Sequence, residues 1–142
     1  MHVLIVEDEP LVRIALADTL LTMGHEVSEA ASGQRALEAL NETPTIDLVL
    51  SDHIMPGMNG LALARAIRAA YPSLPVVMIS ASPLAKADLE GMRQLTKPFT
   101  DRELIAVRGV AFAPFPILHV QSRDWTPHTI ALVVQWMRAA VF

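Results

Sequence analysis

Cysteine is absent from this chain, which excludes disulfides and thiolate metal sites and fits a reducing compartment. A basic excess is missing too: 11 lysines and arginines stand against 15 aspartates and glutamates, a net charge of −4. That balance leaves no electrostatic footprint for a nucleic-acid backbone, so no nucleic-acid partner is expected. No apolar run approaches the roughly 18–20 residues of a membrane span. The most apolar stretch, 110–118, is short and broken by Pro114 and Pro116. The opening Met-His-Val-Leu-Ile-Val-Glu-Asp-Glu-Pro turns acidic where a signal peptide needs a longer apolar stretch and a cleavage site. A soluble, cytoplasmic protein without membrane contact is expected. The five histidines (His2, His25, His53, His119, His128) show no metal-ligand spacing, and no repeat or low-complexity tract occurs.

What is present is enough apolar material, 52% of 142 residues, for one domain with a sizeable core. Charged residues are only 18%, too few to favour disorder over most of the length. Short apolar runs alternate with amphipathic segments. Val3-Leu4-Ile5-Val6 reads as a buried strand that stops at Glu7-Asp8-Glu9. Pro10 opens a helix whose stripe is expected at Leu11, Ile14, Ala15 and Leu21, ending near Gly24. A weaker strand around 26–29 precedes Ser32-Gly33 and a helix near 34–40. The run 46–50 is the next strand, ending in Ser51-Asp52. Pro56-Gly57 and Asn59-Gly60 mark a loop before a helix with Leu63, Ile67 and Ala70. A fourth strand spans 75–79 and ends at Ser80. A short helix-like piece (84–90) leads to a weak strand near 93–96, and a last helix starts at Asp101 and is expected to reach Arg108.

Strands alternating with helices predict an α/β fold, a parallel sheet covered by helices on both faces. Such sheets bind ligands beyond the carboxyl ends of their strands, where strand order reverses. The polar residues Glu7, Asp8, Asp52, Ser80 and Lys97 all fall at such ends. Three converging carboxylates repel one another unless a cation intervenes, and Mg²⁺ commonly takes one or two carboxylates with phosphate oxygens and water. Lys97 adds a mobile positive charge and Ser80 a hydroxyl donor. The set is complementary to a phosphoryl group in transfer, with Asp52 as the attacking carboxylate and an aspartyl phosphate as product.

Singly, each residue has a plainer explanation. A lone Asp52 fits a helix cap or turn, and Glu7-Asp8-Glu9 a solvated helix N-terminus. Ser80 alone fits a turn, and Lys97 a surface charge. Joint spacing and strand-end placement favour the phosphoacceptor.

At these residues the chain resembles a two-component response-regulator receiver domain. The resemblance rests on 3–9, on the stretch from Asp47 through Asp52-His53-Ile54-Met55-Pro56-Gly57 to Gly60, on 76–81, and on Lys97-Pro98-Phe99. It implies a doubly wound, five-stranded, flavodoxin-like receiver fold over 1–108. It also implies Asp52 as phosphoacceptor, Asp8 as the main Mg²⁺ carboxylate and Glu7 acting directly or through water. The backbone carbonyl of Ile54 would be a further ligand, Ser80 the switch hydroxyl and Lys97 the phosphoryl-pairing lysine. Pro98 would follow a cis peptide bond. The implied donor is a histidine kinase or phosphotransfer protein. The chain would be a phosphoacceptor rather than an enzyme, with only slow autodephosphorylation.

Two departures from the pattern stand out. Only 17 positions separate Ser80 from Lys97, fewer than receivers commonly have, so the fourth helix should be short or irregular. This compact form resembles some alphaproteobacterial single-domain regulators and hybrid kinases. Gln94 falls where many receivers carry a switch aromatic. Beyond Arg108, Gly109, Pro114 and Pro116 break the last helix. The extension 109–142 matches no output domain. Thr126-Pro127 starts a helical pattern through Ile130, Val133, Val134, Met137 and Val141. It could complete the domain core, form a homodimer contact, or stay partly disordered.

Two other functions compete. Magnesium-dependent phosphatases with an aspartyl nucleophile carry a second Asp two residues later, where this chain has Ile54. A non-phosphorylated interaction module would be expected to lack the acceptor, the lysine or the acidic pair, and all are present here.

Overall fold

Continuous apolar runs need burial on both faces, and here they become the middle of a sheet. A computed structural model describes residues 1–100 and 102–106. Along the chain come β1 (His2–Val6), α1 (Pro10–Thr22), β2 (Glu26–Ala30), α2 (Gly33–Glu42) and β3 (Leu48–Asp52). Then follow α3 (Gly60–Ala70), β4 (Val76–Ser80), α4 (Lys86–Leu89) and β5 (Arg93–Thr96), with residues 102–106 again helical. The expected extension 109–142, and any homodimer contact through it, lie outside the described residues.

All five strands are parallel, in the order β2-β1-β3-β4-β5. The chain moves outward from β1 to β2 and then returns to place β3 on the other side of β1. Strand order reverses there, so a crevice opens beyond the ends of β1 and β3. Val3, Leu4, Ile5 and Val6 are wholly buried, each worth roughly 1.5–3 kcal/mol relative to exposure. Leu4 and Val6 join Val49 and Met78 in a cluster with Ala36 and Leu40 of α2 and Leu63, Ala64 and Ile67 of α3. The opposite face is covered by Leu16, Ala17 and Leu20 of α1. The sheet is doubly wound, as the alternation of elements predicts.

The expected stripe of α1 is corrected by the structure. Leu11, Ile14, Ala15 and Leu21 are exposed, and the buried face is Leu16, Ala17 and Leu20. The helix is apolar on most of its circumference, so periodicity does not single out the inner side. β3 starts two residues later than expected. Ile46 is buried, but its backbone precedes the strand ladder.

Side-chain caps fix the starts of α2 and α3. Ser32 accepts from the Arg35 N–H and Asn59 from the Ala62 N–H. Before 102–106, Thr100 and Glu103 bond reciprocally: the Glu103 N–H donates to the Thr100 hydroxyl and the Thr100 N–H to the Glu103 carboxylate. Hydrogen bonds from the Thr100 backbone and side chain hold the Glu103 carboxyl below its usual value.

The fourth helix is as short as the spacing predicts, only Lys86–Leu89, narrower than the 84–90 expected. Glu90 and Gly91 both turn left-handed (φ 46° and 84°) to bring the chain back into β5. Glu90 is held there by Arg65 at 3.0 Å and Arg68 at 3.3 Å. Non-glycine residues take this conformation only where surroundings fix it.

Gly60 sets how closely α3 approaches the end of β3. A β-carbon there would lie 2.3 Å from the Asp52 carbonyl oxygen and 2.6 Å from Met78 Sδ. Gly60→Ala should destabilise the fold by about 1–3 kcal/mol through overpacking, read from the urea midpoint. An unchanged midpoint would contradict this close approach.

Candidate functional site

The crevice at the strand-order reversal receives residues from β1, β3 and β5. Glu7 and Asp8 follow β1, Asp52 is the last residue of β3, and Lys97 follows β5. Glu7 is 3% exposed and Asp52 7%, while Asp8 is the most exposed of the three. One oxygen from each of Glu7, Asp8 and Asp52 lies within 4.8 Å of the others, a spacing that could hold a metal ion.

Lys97 Nζ donates to Asp52 Oδ1 at 2.7 Å and to Glu7 Oε2 at 2.9 Å. The other Asp52 oxygen accepts from the Ile54 N–H at 2.9 Å, and Glu7 Oε1 from the Glu9 N–H at 3.3 Å. Burial alone would lower the Lys97 pKa. Hydrogen bonds from Lys97 to Asp52 and Glu7, and their charges, outweigh it and hold the ammonium above its ordinary value. Three carboxylates therefore face one ammonium, and two negative charges in the cluster remain uncompensated. A divalent cation on oxygen ligands fits that remainder. The Lys97-Pro98 peptide bond is cis, as the resemblance implies.

Ser80 ends β4 beside the cluster and is 3% exposed. Its hydroxyl does not face Asp52 in a hydrogen bond: it donates to the Ser82 carbonyl and accepts from Gln94 Nε2. The structure brings Glu7, Asp8, Asp52 and Lys97 together and directs Ser80 elsewhere.

Arg13 is a residue that sequence reasoning missed. Its Nη1 donates to the Glu7 carbonyl at 2.6 Å and reaches the Asp8 carbonyl at 3.5 Å, while Nε pairs with Glu29 at 3.4 Å. It ties the acidic turn to α1. A signal existed: an arginine near a helix N-terminus opposes the macrodipole and needs another partner.

The family description "response regulator receiver domain" matches residues 3–108. This chain belongs to the response-regulator receiver family. The receiver is 44% identical over 108 residues to the response regulator protein FleR of Pseudomonas aeruginosa, covering 72% of this chain and 23% of FleR. The chain therefore spans under a quarter of that relative's length.

Among solved structures, the chemotaxis protein CheY4 of Vibrio cholerae aligns with a TM-score of 0.73 at 29% identity, covering 78% of this chain and 98% of CheY4. The response regulator TrrA of Thermotoga maritima, solved in complex with Mg²⁺-BeF, gives 0.72 at 27% identity, with coverage of 78% and 98%. Among the described residues of this receiver, no helix is long and apolar enough to cross a membrane.

Removing the ammonium tests the charge balance. Lys97→Met leaves the receiver's buried Glu7 and Asp52 facing each other without their cation. It should cost roughly 1–3 kcal/mol, less than a fully buried pair because Lys97 is 30% exposed. Added Mg²⁺ should restore more thermal stability to this variant than to the parent. Equal gains in both melts would count against a cation-dependent cluster.

Proposed function

We propose that this receiver accepts a phosphoryl group on Asp52 from the phosphohistidine of a histidine kinase or phosphotransfer protein. The site uses Mg²⁺ held by Asp8, Asp52 and the Ile54 carbonyl, with Glu7 acting directly or through water. What carries the reading is the meeting of Glu7, Asp8, Asp52 and Lys97 where the strand order reverses.

In the transfer a bond forms between an Asp52 oxygen and phosphorus while the phosphorus–nitrogen bond breaks, and its electron pair leaves with the donor imidazole. Mg²⁺, when bound, neutralises charge on the phosphoryl oxygens. Lys97 stays charged and moves from bridging two carboxylates to pairing with the phosphoryl group. The Ile54 N–H keeps Asp52 oriented, and the Ser80 hydroxyl turns to donate to a phosphoryl oxygen. The modified surface then engages a partner.

A hydrolase using Asp52 as nucleophile needs a general acid two residues on. Ile54 offers none, and its side chain is 73% exposed beside the crevice.

Acetyl phosphate with Mg²⁺ should add one phosphoryl group to Asp52, labile in base, and none to Asp52→Asn, as read by intact and peptide mass. A metal-independent phosphate on a serine (acid-stable) or a histidine (acid-labile but stable in base) would overturn the reading.

Ile54 should also govern lifetime, because its side chain neither orients a water nor accepts its proton. Ile54→Asn should change the dephosphorylation rate by several-fold or more while leaving magnesium affinity nearly constant. Equal lifetimes would contradict that role.

A further inference from the structure

Gln94 has taken over a strand position from which it reaches the end of β4 and the loop after it. Parallel register sets Gln94 beside Met78 and Thr96 beside Ser80, so Gln94, Thr96, Met78 and Ser80 share one face of the sheet. From there the Gln94 carboxamide makes a set of hydrogen bonds that spans the loop 81–85. Its Oε1 accepts from the Leu84 N–H at 2.9 Å. Its Nε2 donates to Ser80 Oγ at 2.5 Å and to the Ser82 carbonyl at 2.7 Å, with Thr96 Oγ1 at 3.4 Å. The amide orientation is fixed from both ends. A backbone N–H can only donate and a backbone carbonyl can only accept, so the oxygen must face Leu84 and the nitrogen Ser82.

The serine hydroxyl has a single proton, and that proton is given to the Ser82 carbonyl. It cannot serve Ser82 and a phosphoryl oxygen on Asp52 at once. Ser80, Ser82 and Gln94 form a closed triangle that keeps the hydroxyl turned away from the acceptor carboxylate. Opening it withdraws one of the contacts that pin the loop between β4 and α4. A phenylalanine in that place would have no such bonds to offer Ser80, Ser82 and Leu84.

Resting on the phosphoacceptor reading of Asp52, we infer that Gln94 is a positioning residue that holds the Ser80 hydroxyl toward Ser82 in the unphosphorylated receiver. Through Ser82 and Leu84 it couples phosphoryl binding at Asp52 to the loop 81–85. The coupling is polar, with hydrogen-bond partners exchanged rather than a ring moved.

The hold opposes the phosphorylated state, so loosening it should favour a phosphoryl mimic. Beryllofluoride with Mg²⁺, titrated into the full chain and followed by fluorine and amide NMR, should bind Gln94→Met about two- to tenfold more tightly than the parent. That is the range of one neutral hydrogen bond. In a Ser80→Ala background the same Gln94→Met change should have no effect on affinity, because no hydroxyl is left to hold. A loop that was merely destabilised would respond to Gln94→Met with or without Ser80.

Failure of the parent to bind the mimic would overturn the phosphoacceptor reading, and this inference with it. Binding with equal affinity in parent and Gln94→Met, or an equal change in the Ser80→Ala background, would overturn the inference alone. If Gln94→Met does not fold, the parent decides. Its Gln94 side-chain amide and Leu84 backbone amide should shift on addition of the mimic, and unmoved resonances would refute the coupling.

Discussion

The Lys97 ammonium lies 2.7 Å from Asp52 and 2.9 Å from Glu7, and the site is arranged around this one cation between two buried carboxylates. Burying either acid unpaired would be costly, and the desolvated ammonium would be unfavourable alone. Joined, they fix the ends of three strands against one another: β1 through Glu7, β3 through Asp52 and β5 through Lys97. Asp8 adds charge that no group in the cluster balances. The fold therefore brings together a site in which one ammonium pairs two buried carboxylates and a third carboxylate is left over.

Much of this was legible in the residues. Val3 to Val6 and Leu48 to Leu50 are apolar without interruption, which only two-sided burial explains, and the polar residues begin where those runs stop. Once the strands are parallel, those stops must share an edge, so the sequence alone groups Glu7, Asp8, Asp52 and Lys97. Other features were hidden for definite reasons. The inner face of α1 is obscured because Leu11, Ile14 and Leu21 are as apolar as the buried Leu16 and Leu20. The direction of the Ser80 hydroxyl depends on a rotamer and on competing acceptors, neither of which a sequence records. Gln94 was conspicuous as the wrong residue for its position, but its partners depend on how tightly the loop 81–85 is drawn in.

That tightness follows from length. With only 16 residues between Ser80 and Lys97 the chain cannot build a long helix and still return to the sheet. It makes four helical residues, reverses through two left-handed ones at Glu90 and Gly91, and anchors the reversal to α3 through Arg65 and Arg68. Shortening brings the backbone of Ser82 and Leu84 within reach of a β5 side chain, and a carboxamide, with both donor and acceptor, can bond to both.

One divalent cation is proposed to complete the cluster. Titrating Mg²⁺ into the protein while following backbone amide resonances should reveal a single saturable site, with shifts largest at residues 7–9, 52–54 and 97, abolished by Asp8→Asn with the rest of the spectrum preserved. An absence of saturable shifts, or shifts centred away from these three strand ends, would contradict it.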